Sequence, residues 1–200
     1  MWALVESGSV SKVYTRPTSL TIGDVNYPSN IFMLWTSSEL EALGIYAVVF
    51  DKTNLKNKEY YTNTDQSFAF ADGTVTASYG TATAKAIADT LYTAQNETDG
   101  LGTEGEVASR GLKYNYKQSI NSQAGGLLQD TDWMVVRAAE GGTAVPSAIT
   151  TWRAAVRTKA NAMCTAIGNA ADIDALIALY VYNDDEPPVR PLGEFPVLGA

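Results

Sequence analysis

TDWMVVRAAEGGTAVPSAITTWRAAVR, residues 131–157, decides how the second half of this chain folds. Thr131 or Asp132 is a good helix N-cap, and Trp133, Val136 and Arg137 start a helix behind it. Gly141-Gly142 stops that helix, because paired glycines are costly inside one. Pro146 opens the next helix, where its missing N–H is no loss. Ile149, Trp152, Val156, Ala160, Met163 and Ile167 then recur at spacings of three and four. The stretch reads as two helices joined by EGGTAVP. On this reading Trp133 and Trp152 face a shared core, while Arg137, Arg153 and Arg157 face solvent, carboxylates or a protein partner. An anion site built from the arginines is the alternative, but no phosphate-loop chemistry accompanies it.

Upstream, Leu112, Tyr116 and Ile120 lie on one helical face that Gln123 and Leu127 extend. TATAKAIADTLYTAQ, residues 81–95, is Ala-rich, with Ala84, Ile87 and Leu91 at helical spacing, and predicts a further helix. NETDGLGTEGE, residues 96–106, reads as a loop. Downstream, Asp172 caps a short helix whose apolar side is Ile173, Leu176, Ile177 and Tyr180. NDDEPPVRPLGEFPVLGA, residues 183–200, is too Pro-rich for a helix. Its Phe195, Val197 and Leu198 predict docking on the protein's own body or on a neighbouring subunit.

The first part of the chain reads as strands and turns. Ser7-Gly8-Ser9, Gly23-Asp24 and Asp72-Gly73 each mark a hairpin, the last being the clearest. In WTSSELEALGIYAVVF, residues 35–50, Ser37 or Ser38 caps a short helix that Gly44 ends. The apolar run IYAVVF follows as a strand expected to be buried on both faces. The fold class is α+β: a small antiparallel β domain with a short helix over 1–80, a helical domain over 81–182 and an extended tail over 183–200.

Composition narrows the chemistry. Of 200 residues 46% are hydrophobic and 18% charged, enough for a core without disulfides or metals. There is no histidine, which removes Ser-His-Asp and Cys-His catalysis and most zinc sites. The one cysteine, Cys164, reads as a small buried hydrophobe. Net charge is −8, and the only basic-aromatic cluster, RGLKYNYK at 110–117, is short, so no nucleic acid is expected as partner. Glu97, Asp99 and Glu104 lack calcium-loop order. Gly100, Gly102 and Gly105 match G-x-G-x-x-G but follow no strand and sit among carboxylates. Nothing fixes a catalytic pair among Asp51, Glu59, Asp65 and Asp72. No apolar run reaches the roughly 18–20 residues of a membrane span, and the N-terminus does not read as a secretory signal. The expectation is a protein made in a cytosol that is not an enzyme, with no catalytic, cofactor-binding or metal residues and no membrane partner.

Two blocks carry a family resemblance. Thr131, Asp132, Trp133, Arg137, Pro146, Trp152, Arg153 and Arg157 resemble a pattern of tail-assembly-chaperone and tail-fibre-assembly-like proteins of tailed bacteriophages. GDVNYPSNIFMLWTSSELEALGIYAVVF, residues 23–50, is similar to the small β domain that often precedes it. The resemblance implies a homo-oligomeric structural protein of the virion, in the tail, baseplate or fibre-attachment region, made in the host cytoplasm and binding other phage structural proteins. Its alternatives are a non-virion fibre-assembly chaperone and a head decoration protein. It supplies no catalytic residues. The residues expected to make protein contacts are Trp133, Trp152, Arg153, Arg157, Phe195, Val197 and Leu198.

Overall fold

A computed structural model describes residues 1–199. The chain is mixed α and β, an antiparallel-rich sheet preceding the helices. It divides into two compact units, Met1–Ala84 and Lys85 onward.

In the first unit, β1 (Trp2–Glu6) and β2 (Ser9–Tyr14) form a hairpin. Its turn residues Ser7 and Gly8 both have positive φ, 51° and 78°, as a two-residue type I′ turn requires. A second hairpin joins β3 (Leu20–Ile22) to β4 (Val25–Tyr27) through Gly23, whose φ of 56° suits the first turn position of type II′. Next come α1 (Ile31–Leu34), a short helix that pattern reading misses, then α2 (Ser37–Ala42) and β5 (Ile45–Phe50). Thr36, rather than Ser37 or Ser38, caps α2. Its hydroxyl accepts from the Glu39 amide at 3.3 Å while the Glu39 carboxylate accepts from the Thr36 amide at 2.7 Å, a reciprocal box. β6 (Tyr61–Thr62) pairs with β9 (Thr83–Ala84), and β7 (Gln66–Ala71) with β8 (Thr74–Tyr79).

The main sheet runs β2-β1-β5-β8-β7. Four of its five strands make antiparallel hairpins, but β5 runs parallel to β8, because a long connection returns the chain before the β7–β8 hairpin forms. The end strands β2 and β7 also approach each other, so the sheet is curled. One face packs Leu4, Tyr14 and Ile45 against Leu20, Ile31, Phe32 and Leu40. Register puts Ala3, Tyr46 and Val75 on the other face, where Tyr46 packs on Phe70 at 4.7 Å. β5 is therefore covered on both faces only at its start. Ile45 is fully buried, but Val49, on the same face beyond the layer from α1, α2 and β3–β4, is 55% exposed, and Phe50, on the other face, is 43% exposed.

Across the junction of the two units, residues 81–95 are not a helix. They contain β9, the short β10 (Thr90–Leu91) and the start of α3 (Ala94–Thr98). β10 pairs with β11 (Val107–Ser109), and α4 (Leu112–Ala139) follows. The carbonyls of Ala86 and Ile87 accept from the first amides of α4, Leu112 and Lys113, at 3.0 Å each. The Asp89 carboxylate accepts from the Gly111 amide at 2.8 Å and from Arg110 at 2.6 Å. Alanine propensity is a weak prior, and these long-range bonds outweigh it.

α4 is continuous for 28 residues, running through Gly125-Gly126 without a new start at Thr131. It ends in a Schellman turn: Gly141, at φ 85°, donates to Ala138 O, and Gly142 donates to Arg137 O. α5 (Ser147–Asn169) returns alongside it, with Pro146 at the N-cap. Val156, Ala160, Met163 and Ile167 of α5 are buried, as are Leu112, Ile120, Ala124 and Thr131 of α4. Gln123 and Leu127 are exposed, so the buried stripe of α4 leaves the expected line after Ile120. α6 (Ile173–Ala178) is capped by Asp172, whose carboxylate accepts from the Ala175 amide at 2.8 Å. Beyond it, residues 181–199 form no helix or strand.

The start of α4 gives a direct stability test. A Cβ on Gly111 would lie 2.3 Å from the Ala88 carbonyl carbon and oxygen, and backbone cannot step aside. Gly111→Ala is expected to destabilise the second unit by roughly 1–3 kcal/mol, as overpacking does, in a thermal or urea melt.

Candidate protein-contact site

The expected contact residues cluster on the α4–α5 hairpin and on the tail, but their roles divide differently from the expectation. Arg153 is 6% exposed rather than facing solvent. Its Nη1 donates to the Leu128 carbonyl at 2.8 Å and to the Thr131 hydroxyl at 2.5 Å. Its Nη2 meets the Asp132 carboxylate at 2.6 Å. Thr131 in turn donates to the same Leu128 carbonyl at 2.9 Å. Arg153 fits the stripe Ile149, Arg153, Val156, Ala160, Met163, Ile167 at alternating spacings of four and three. The spacing signal was present, but the ordinary preference of arginine for water hid it. Its partners Thr131 and Asp132, read as caps, lie inside α4 instead.

Trp133 does not face the core. It is 55% exposed, and the Arg137 guanidinium stacks over its ring at 4.8 Å. The continuity of α4 explains this. Thr131 inherits the buried phase of Ile120 and Ala124, and two residues later the helix has turned by about 200°. Arg157 is exposed and lines a shallow groove with Val135, Val145, Thr150 and Arg153. Cys164 is only half-buried, its thiol pushed up by burial.

Trp152 is half-buried and reaches the tail, its Nε1 donating to the Pro196 carbonyl at 2.9 Å. The tail is thus docked on its own unit. The Leu192 amide donates to Leu179 O at 3.0 Å, and the Leu192 side chain is 2% exposed. Phe195 is half-buried, whereas Val197 and Leu198 are 73% and 44% exposed at the tip. A polar staple missed by the sequence reading fixes the bend. Glu194 accepts from Tyr182 at 2.6 Å and from Arg190 Nη2 at 2.9 Å. Arg190 also lies over the rings of Tyr180 and Tyr182. The Tyr182 hydroxyl, with Arg190 behind it, holds the Glu194 carboxyl below the usual carboxylate range, and the same bond raises Tyr182.

No helix among the described residues is long and apolar enough to cross a membrane. No family model matches the chain, and no curated protein or solved structure does either.

Two predictions follow from this geometry. Arg153→Met leaves Thr131, Leu128 and Asp132 without their donor and is expected to lower stability by about 2–3 kcal/mol, the scale of charged hydrogen bonds. Arg153→Lys recovers only part, because a single ammonium cannot reproduce the fork. Paired urea melts check both. The Glu194 contribution has the sign of a depressed acid. It is present above the ordinary glutamate value and lost as pH falls through the lowered one. Limited proteolysis is expected to cut the tail faster on acidification below the ordinary glutamate range, and Glu194→Gln to remove most of that pH dependence.

Proposed function

We propose that this chain is a structural protein of a tailed-bacteriophage virion, in the tail, baseplate or fibre-attachment region, acting by protein–protein contact. The observation that carries the contact chemistry is surface. Met33 and Leu34 are 71% and 73% exposed in the first unit, and Trp133 and Val136 are 55% and 54% exposed in the second. Neighbouring exposed apolar side chains of this kind support a role in protein contact. Repetition in a symmetric particle adds up contacts that are individually weak.

The phage assignment rests on the resemblance of residues 131–157. Within that pattern Arg153 donates to both Thr131 and Asp132, which supports reading it as the clasp of a helical hairpin rather than a reactive site. The test is protein analysis of purified particles beside the lysate that produced them. A virion component is present in fixed stoichiometry. A chain abundant in lysate and missing from particles is an assembly chaperone instead.

A further inference from the structure

We infer that the tail exchanges between copies of this chain: residues 189–199 of one copy dock on the body of another through the contacts they make within one chain. This rests on the contact reading above and names one of its partners. The dock and its occupant are both seen in the structure, since the tail sits there.

The tail is held as a bound peptide is held. The Val189 carbonyl accepts from the Asn183 amide at 2.8 Å, and the Val189 amide donates to the Asn183 side chain at 2.8 Å. Further along, the Leu192 amide donates to Leu179 O, the Tyr182 hydroxyl donates to Glu194, and Trp152 Nε1 donates to Pro196 O. Leu192 is the buried anchor. Gly193, at φ 70°, leaves room for the Lys159 ammonium, which a Cβ would strike. Each of these contacts joins a residue at or before Asn183 to one at or after Val189.

The tether between them adds nothing to the dock. Residues 184–188 are all exposed, and among the described residues their only hydrogen bonds run between Asp185 and Asn183. Their sequence, Asp-Asp-Glu-Pro-Pro, favours an extended chain, because adjacent carboxylates repel and prolines stiffen. Docking within one chain demands the opposite, a reversal that brings Val189 back to Asn183. It also seats the tip poorly. Val197 and Leu198 are 73% and 44% exposed beside a groove lined by Ala148, Thr151 and Ala155 of α5. A straight tether relieves the reversal and carries the tail to a neighbour's dock, where every contact is remade. A short tether presents the tail to its own dock at an effective concentration of order millimolar, so exchange grows as copies are crowded to that level.

The test removes the reversal. Deleting residues 184–188 joins Asn183 directly to Val189, so the two cannot pair and the tail runs away from its own dock. This chain is expected to be a dimer or larger by size exclusion with light scattering, with far-UV circular dichroism unchanged. Adding Leu192→Asp is expected to return it to monomer. A second measurement keeps the tether at full length. In a Cys164→Ser background, Thr151→Cys and Val197→Cys are bridged by a short bismaleimide. The covalent dimer fraction is expected to rise at least about tenfold from ~10 μM to ~1 mM protein, and Leu192→Asp to abolish the rise. A folded deletion chain that stays monomeric, a dimer indifferent to Leu192→Asp, or a bridge confined to single chains at both concentrations overturns the exchange. If the deletion chain does not fold, the cysteine pair decides alone. An exchanging chain missing from purified particles upholds the exchange and removes the virion reading. A chain present in particles whose bridge stays within one copy does the reverse.

Discussion

The second unit depends on one buried charge. Arg153 enters the α4–α5 seam at a position where its neighbours on the stripe are Ile149 and Val156. A guanidinium in such a place is tolerated only when its donors are satisfied. Three acceptors on one turn of α4 meet that demand: Leu128 O, the Thr131 hydroxyl and the Asp132 carboxylate. Apolar stripes alone permit sliding, because leucine and valine contacts are interchangeable. A planar fork aimed at one helical turn is not, so Arg153 sets the register of the two helices. Asp132 keeps 56% of its side chain exposed, so the pair retains contact with water on one side.

Register then assigns the remaining roles. With Thr131 turned inward, Trp133 and Val136 turn outward and are exposed. Trp152, one residue before Arg153, points about 100° away from the seam and meets the tail at Pro196. The clasp, the outward Trp133 and Val136, and the tail dock are thus three consequences of one helical phase. The residues that looked like a reactive cluster in the sequence belong to three different surfaces.

Much of this was legible in the sequence where local chemistry decides. Asp72-Gly73 takes positive φ at both residues because the turn demands it and these residues tolerate it. Gly141-Gly142 ends α4 as its composition says, and Asp172 caps α6 for the same kind of local reason. The sequence misled where a distant partner decides. Residues 81–95 have helical composition, yet Ala86, Ile87 and Asp89 are committed to the start of α4. The face of Trp133 follows from helix phase accumulated since Leu112, and a window of 27 residues that begins at Thr131 does not contain that phase. In the contact site, the tail dock was legible in outline from its apolar residues. The Arg190–Glu194–Tyr182 staple was not, since nothing in a Pro-rich stretch announces which carboxylate meets which cation.

The central claim is that Arg153 and Thr131 act as one unit across the hairpin. A double-mutant cycle with Arg153→Met, Thr131→Val and the pair, read by urea unfolding of the whole chain, measures this directly. The account predicts a coupling energy of about 1 kcal/mol or more between the two changes, as for residues sharing a hydrogen-bond network. Two effects that simply add, within about 0.5 kcal/mol, would contradict it and return Arg153 to the solvent-facing role its residue type suggests.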